Sequence, residues 1–594
     1  MHSLSPCPPL ALPRRAACRV GSLRARPGRP PRVLVLARLA FFLAVTVLCP
    51  LAAAQPETVP AEHPVYAFLH QQRTSGRLPE YRHELRPLAR GEVMRLLDSL
   101  SARQPARGGS YWLGDFRREF FEPAGAIETV IGRGDGPAVR LPLGRDTEKF
   151  FLYHRSDDWR VAVETRGSGV ARVGEGRVLP EDSSTTAERV RNVAFVPELT
   201  VQGHYGEHVG FYTRTFNGQS LAGDTRALQD DPALAPLYYI GRTAEPPGSF
   251  DQTSASLRVA GGPFAAEIAH ARLLAGPGPA DPVVLAGGAD YFSHLRLSLA
   301  TRYVSYDVVH GALGDRAVVD ANNTLVGPER YLAFHRIDVR PARWLSLGFS
   351  EMVVYGRRGP ELAYLNPVNP FKTAEHALWD RDNTLFAVDA VVRPLRGLEL
   401  YGTFLADDLD FSRIGEGSYN NKWAVQAGAG LGVDTPAGAA HLFAEYARVE
   451  PFTYTHRFQA DGSYYNSYQH NGYTLGLPLG PNADRVLGGA RLWLPFRLRA
   501  EGTLSYSRRG ENYVGADGAV VNVGGDARDG DQPPFDQLTK EFLAGTVYQG
   551  LGGSVGLVWE PINEVGLRLA ADAQRWNGGS PDRLFVLVEA FVAW

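Results

Sequence analysis

Residues 450–473, "EPFTYTHRFQADGSYYNSYQHNGY", gather the side chains that sugar-binding surfaces use. Tyr454, His456, Tyr464, Tyr465, Tyr468 and Tyr473 stand among Asn, Gln and Asp. A sugar ring is apolar on one face and hydroxylated at its rim, so aromatic faces flanked by amides and carboxylates suit it. Aromatics of a membrane girdle would look the same locally, but these lie mid-loop rather than at strand ends. The expected polysaccharide-binding set is Tyr454, His456, Tyr464, Tyr465 and Tyr468.

Other groups could carry chemistry, and a plainer reading outweighs each. Asp382, Asp389, Asp407 and Asp408 suggest a glycosidase, which needs two carboxylates across the scissile bond. Acids beside arginines are also how a polar barrel interior is filled. Arg336, Asp338 and Arg340 alternate onto one face, and with Asp389 they are expected to line such a lumen. His204 and His208 are four apart, a metal spacing on a helix but here astride a tight strand turn. "GDARDGDQ" sets Asp526, Asp529 and Asp531 at loop spacing for calcium without the full calcium-loop pattern. Cys7, Cys18 and Cys49 are the only cysteines, and all precede residue 55, so no thiol remains beyond the leader for a disulfide, a zinc site or a nucleophile. The expectation is a protein that is not an enzyme and has no metal or cofactor.

The elements that must position these residues are strands. The chain's last stretch, "DRLFVLVEAFVAW", puts Leu584, Val586, Val588, Ala590, Val592 and Trp594 on one side, with Glu589 on the other. The same alternation runs from about Trp159 onward. Leu295, Leu297 and Leu299 oppose His294, Arg296 and Ser298. Leu398, Leu400 and Phe404 oppose Glu399, Tyr401 and Thr403. Leu498, Ala500, Leu504 and Tyr506 oppose Arg497, Arg499, Glu501 and Ser505. Glu351 breaks the pattern by falling in phase with Leu345, Leu347 and Phe349, which points to a bulge or strand end there.

The connections alternate in length. Short ones fall near residues 205, 261, 341, 394, 434, 494 and 561. Long polar ones span about 217–252, 275–290, 314–330, 355–383, 407–422, 449–485, 508–539 and 574–583. Short turns on one rim and long loops on the other characterise an outer-membrane barrel, and a sandwich has no cause to keep that asymmetry. A first count of 19 strands becomes 18 when 542–559 is one strand, which meets the even parity of bacterial barrels. The fold expected is therefore all-β, a transmembrane antiparallel barrel of about 18 strands over residues 148–594. Trp594 would sit at the membrane interface and act as an assembly signal.

Ahead of the barrel, residues 1–54 read as a signal peptide: an Arg-rich start, an apolar run, then Ala52–Ala54. Residues 55–147 read as a periplasmic helical segment and linker. Val65, Phe68 and Leu69 share a helical face that stops at Gly76, and Val93, Leu96, Leu97 and Leu100 share another. Subtracting the leader's eight arginines from 62 basic residues leaves 54 against 64 acidic ones, a poor balance for binding nucleic acid. Beyond the leader, no apolar run approaches the roughly 18 residues of a membrane helix.

Three segments resemble the Wzi family of capsule-assembly outer-membrane proteins. They are "YLAFHRIDVRPARWLSLGFSEMVVYG" (331–356), continuing through "YLNPVNPF" and "RDNTLFAVDAVVRPLRGLELYGTFLADD"; "HNGYTLGLPLGPNADR"; and "HPVYAFLHQQRTSG" with "RPLARGEV". The resemblance implies an 18-stranded barrel in the bacterial outer membrane, carrying a small helical domain. Its partners would be capsular or exported polysaccharide, outer-membrane lipid and the barrel-assembly machinery, and its role to hold polymer at the cell surface. The long loops and Arg-rich composition depart from the enterobacterial pattern, so polymer chemistry does not carry over. The alternative is a diffusion porin for sugars or other small solutes.

Overall fold

A computed structural model describes residues 55–103, 107–121, 151–176, 188–224, 248–288, 290–314, 318–319, 325–326, 329–435, 438–459, 463–531, 539–562, 565–577 and 582–593. The signal-peptide assignment, most of the linker to 147 and Trp594 lie outside these residues.

Eighteen antiparallel strands close into one barrel: β1 (Trp159–Gly176), β2 (Glu188–Tyr205), β3 (Val209–Gly223), β4 (Ser249–Gly261), β5 (Phe264–Ala271) and β6 (Phe292–Ala300). They continue as β7 (Val304–Leu313), β8 (Arg330–Ala342), β9 (Leu345–Gly356), β10 (Asn383–Leu395), β11 (Leu398–Asp408) and β12 (Lys422–Thr435). The circuit ends with β13 (Gly438–Val449), β14 (Ala483–Leu494), β15 (Leu498–Glu511), β16 (Thr546–Ile562), β17 (Val565–Trp576) and β18 (Arg583–Ala593). Each strand pairs with its sequence neighbours, and β18 returns to β1 from Leu584↔Glu175 to Ala593↔Arg166. Closure leaves no unpaired edge, the condition for crossing hydrocarbon with strands. A short strand, Leu152–Arg155, pairs with the start of β1 beside that seam.

The wall is inside-out relative to a soluble fold. Leu295, Leu297, Leu347, Phe349, Val388, Leu400, Leu504, Val586 and Val588 are exposed on the outer face, while Arg296, Arg336, Asp389, Glu399, Thr403, Gln426 and Glu445 are buried in the lumen. Trp159, Tyr205, Phe264, Tyr303, Trp344, Phe496 and Trp559 stand exposed along the short-turn rim, where an interfacial aromatic girdle belongs.

Helices α1 (Val65–Thr74), α2 (Arg90–Ala102) and α3 (Arg107–Phe120) close the short-turn end from within. The two expected faces form as read: Val65, Phe68 and Leu69, with Val93, Leu96, Leu97 and Leu100, are all fully buried. The third helix was not expected. Its Trp112, Phe116 and Phe120 recur at four-residue spacing and pack with Phe68 and with Trp493 of β14.

Glu351 lies on an unbroken ladder, paired with His335 and Phe386, so the expected bulge is not there. The outward carboxylate is covered instead, and it accepts the backbone N–H of Lys372 at 3.0 Å.

Candidate functional site

The lumen has two storeys, each packed along part of the wall, and beside β15–β18 and β1 a space of about 300 Å³ remains, lined by Arg172, Glu501, Ser554, Asp572 and Phe585. In the lower storey, ion pairs fasten the helices to the wall. Arg73 of α1 donates to Glu84 (2.7 Å) and to Glu399 of β11 (2.8 Å), and His70 meets the same Glu399 at 2.8 Å. Arg160 of β1 reaches Glu57 at 2.9 Å, and Thr58 donates to Glu267 at 2.5 Å. Burial alone would raise the Glu84 carboxyl, but Arg73 and Arg393 outweigh it and hold it down at about 2. Burial keeps His70 neutral, lowering it to about 4 against the pull of Glu399.

The expected lumen-lining residues face inward together. The Arg336 guanidinium donates to Asp389 (2.8 and 3.0 Å), Asp338 (2.6 and 3.0 Å) and Ser350 (3.0 Å), satisfying its whole fork. Gly348 makes this possible, since a Cβ there would lie 2.4 Å from Arg336 Nη2. Arg340 donates instead to the backbone of Glu80 (2.5 Å) and Arg302 (2.6 Å), tying the helical segment to a turn.

The upper storey departs from the polar interior expected. Inward-facing Phe292, Val309, Leu332, Phe334, Met352, Val354, Leu385 and Leu405 form an apolar core with loops folded down from the long-loop rim. The loop after β5 descends far enough for Leu274–Ala275 to pair with Leu85–Arg86 of the helical segment.

That core claims part of the expected sugar platform. Tyr454 and Tyr468 are fully buried and stack at 5.7 Å, and their hydroxyls donate to the carbonyls of Val283 (2.8 Å) and Val284 (2.7 Å). They present no face to solvent. A tyrosine that anchors a folded-in loop and one that meets a ligand are identical in sequence. Tyr464 lies half-buried against Gly530, Tyr465 half-buried against Gly356, and His456 half-buried at the rim.

His456 opens onto a cleft of about 1030 Å³ among the long loops. Its walls include Lys372, Asp380, Phe411, Arg413, Tyr419, Arg457 and Asp531. Lys422 forms the floor, donating to Asp408 (2.9 Å) and Asp531 (2.8 Å) under the Tyr419 ring. Burial holds His456 neutral at about 3, and its Nδ1, with Ser418 Oγ and Asp531 Oδ1, is a buried polar atom without a hydrogen-bond partner among the described residues. Such groups mark places where water or a ligand completes the bonding. Sequence reasoning did not join loop 409–421 or Asp531 to this region, and read Asp531 only as an oxygen ligand at calcium-loop spacing.

Among the described residues, the other groups weighed above are engaged with separate partners. Arg358 and Tyr364 engage Asp382, Arg336 engages Asp389, and Asp407 accepts the Tyr454 N–H at 2.6 Å. His204 turns to Glu57, whereas His208 turns to the Ala260 carbonyl. Asp526 pairs with Arg528, and Asp531 with Lys422. A Gly-x-Ser-x-Gly match at 552–556 runs inside β16, not at the strand-to-helix turn that exposes a nucleophile.

A closed 18-stranded antiparallel barrel, apolar outside and lined with charged and polar side chains within, defines an integral protein of the bacterial outer membrane. The family model described as "Capsule assembly protein Wzi" matches residues 242–550, and the chain belongs to that family. Among solved structures, the chain is similar to Wzi of Escherichia coli, described as an outer-membrane protein involved in group 1 capsule assembly and a carbohydrate-binding β-barrel. That match has 13% identity and a TM-score of 0.56, covering 90% of this chain and 99% of the other. OprD of Pseudomonas aeruginosa aligns over 73% of this chain and 95% of its own, with 11% identity and a TM-score of 0.40. No curated protein sequence matches.

Proposed function

We propose that this capsule-assembly barrel holds capsular or exported polysaccharide at the cell surface, without catalysing a reaction. The observation that carries the reading is the polar, aromatic-edged cleft on the long-loop side, held up by loops packed against β6–β13 and by the helices at the short-turn end. Long loops of outer-membrane barrels face outward, where the polymer lies. His456 and Arg457 would meet sugar hydroxyls, Tyr419 and Phe411 would offer ring faces, and Tyr464 and Tyr465 would extend the contact along the rim. Tyr454 and Tyr468 serve by fixing the loop. Residues 55–120 would close the periplasmic mouth, after delivery of the chain by the barrel-assembly machinery. The carbohydrate binding described for the E. coli barrel is consistent with this role.

Deleting the gene tests it. Total polymer should stay constant while the cell-bound fraction moves to the medium, and purified protein should show little steady conductance in planar bilayers. Large channels with normal polymer retention would replace this reading with a porin for sugars or other small solutes.

A further inference from the structure

After β9 the chain does not rise from the rim. Residues 357–382 turn outward and lie back over the outer face of β7–β10, with short helices α4 (Leu362–Leu365) and α5 (Phe371–Ala377). The face they cover is the lipid-side face, because Tyr331, Ala333, His335, Glu351, Val353 and Tyr355 are in phase with the exposed Ile337 and Phe349. The contact is intimate: Tyr364 packs 5.1 Å from Tyr355, Phe371 3.9 Å from His335, and Tyr306 donates its hydroxyl to the Pro367 carbonyl.

Depth follows from strand geometry. A strand rising about 3.3 Å per residue at a tilt of about 40° gains about 2.5 Å of depth per residue, so an apolar band of about 25 Å spans about ten residues. Counted from the girdle residue Trp344, the band ends at roughly residue 354 by the same estimate. The flap thus overlaps its upper edge, and Tyr306, which holds Pro367, sits opposite Ile337 within it.

Side chains on the flap's free side fit that depth. Leu362, Val368 and Trp379 are 78%, 80% and 90% exposed, with Arg357 and Arg381 exposed at the flap's two ends. Outward apolar residues beside a lipid-facing wall continue that wall, and neighbouring cations suit phosphate.

We infer that residues 357–382 form a lipid-engaging flap. Leu362 and Val368 enter the acyl boundary of the outer leaflet, and Arg357 and Arg381 face phosphate-bearing lipid headgroups. The inference rests on the outer-membrane barrel and not on polysaccharide attachment. To test it, Leu362→Cys, Val368→Cys and, as control, Asp517→Cys in the exposed stretch between β15 and β16 are labelled with an environment-sensitive fluorophore. Each full-chain protein, with labelled wild type as the blank for its own cysteines, is placed in phosphatidylcholine vesicles with or without lipopolysaccharide. Heat-modifiable mobility checks folding. Blue-shifted emission and quenching by brominated acyl chains are expected at 362 and 368 but not at 517. Water-like spectra at all three positions would overturn the flap's insertion. Arg357→Gln/Arg381→Gln should remove any preference for lipopolysaccharide vesicles, and an unchanged preference would overturn the headgroup contact. Inorganic phosphate should not abolish that preference; if it does, the arginines hold a free anion rather than a lipid.

Discussion

Replacing Arg73 by Met should unfasten the helical segment without opening the barrel wall. Arg73 is fully buried and is the side-chain partner of Glu84, at 2.7 Å, while Glu399 keeps His70 at 2.8 Å. Methionine preserves most of the volume, so the effect is electrostatic. Removing one member of a buried pair costs about 3–5 kcal/mol, largely because the remaining charge is stranded. At about 1.4 kcal/mol per factor of ten, the undocked fraction should rise by roughly two to three and a half orders of magnitude. Conductance bursts in planar bilayers and protease cleavage near residue 80 would report it, while heat-modifiable mobility stays as in wild type. The variant should also acquire a pH dependence of definite sign. In wild type the Glu84 carboxyl is depressed to about 2, so its contribution is present above 4.5 and lost only as pH falls toward 2. Without Arg73, burial is opposed chiefly by the more distant Arg393, so the carboxyl should rise. A carboxyl raised above its unfolded value contributes stability at low pH that is lost as pH rises through the folded value. Undocking should therefore be greater at pH 8 than at pH 5. A variant as quiet and protease-resistant as wild type at both values would refute the view that this ion cluster fastens the segment.

Gly348→Ala should disrupt the Arg336–Asp389 contact as Arg336→Ala does, since the new Cβ would lie 2.4 Å from Nη2; equal thermal stability of G348A and wild type would contradict this. Tyr454→Phe should cost about 1–3 kcal/mol for the two hydrogen bonds of its hydroxyl, to the Val283 carbonyl and from the Leu477 N–H, and Tyr454→Ala about 3–5 kcal/mol for a buried aromatic, read from denaturant midpoints. Under the proposed function, Tyr464→Ala and His456→Ala should instead weaken polymer binding in a pull-down with stability changed by less than about 1 kcal/mol. Because burial depresses His70 to about 4, the unfolded chain takes up its proton first, so stability should decline as pH falls from 6.5 toward 4, measured by unfolding at pH 7 and pH 5. Under the sequence expectation that Trp594 marks the membrane interface, Trp594→Lys should lower the yield of heat-modifiable protein in outer membranes.

What the sequence disclosed follows from what lipid forces on a chain. An outer face in hydrocarbon must be apolar at every second residue, so Leu295, Leu297, Leu400 and Val588 announced their strands without reference to any partner. Turn lengths were equally legible, because the short-turn rim has little room for anything but a reversal. The interior was less so. Phe334, Met352 and Val354 occupy lumen positions where polar residues were expected, and nothing local distinguishes a lumen wall facing water from one packed by a loop. Helix α3 was passed over because its glycines and arginines dilute the apolar spacing of Trp112, Phe116 and Phe120. Glu351 was rightly noticed as out of place, but its remedy, a cover supplied by residues some twenty positions further along, is a tertiary fact.

The division of the lumen into storeys also bears on what the long-loop side can do. Loops tethered only at strand ends would have to be ordered by a ligand, at a cost of about 0.5–1.5 kcal/mol for each immobilised side chain. Here Tyr454, Tyr468, Leu475 and Leu477 are sunk into an apolar core shared with Val283, Val284 and six barrel strands or more. The backbone beneath His456 is thereby held by wall packing rather than by the ligand. The lower storey makes this possible, since Leu85–Arg86 of the helical segment supplies the strand on which the descending Leu274–Ala275 rests. A change at Arg73, far from the cleft, should then reach it through that pairing, and the loops of R73M should lose protease protection together with the helices rather than independently of them.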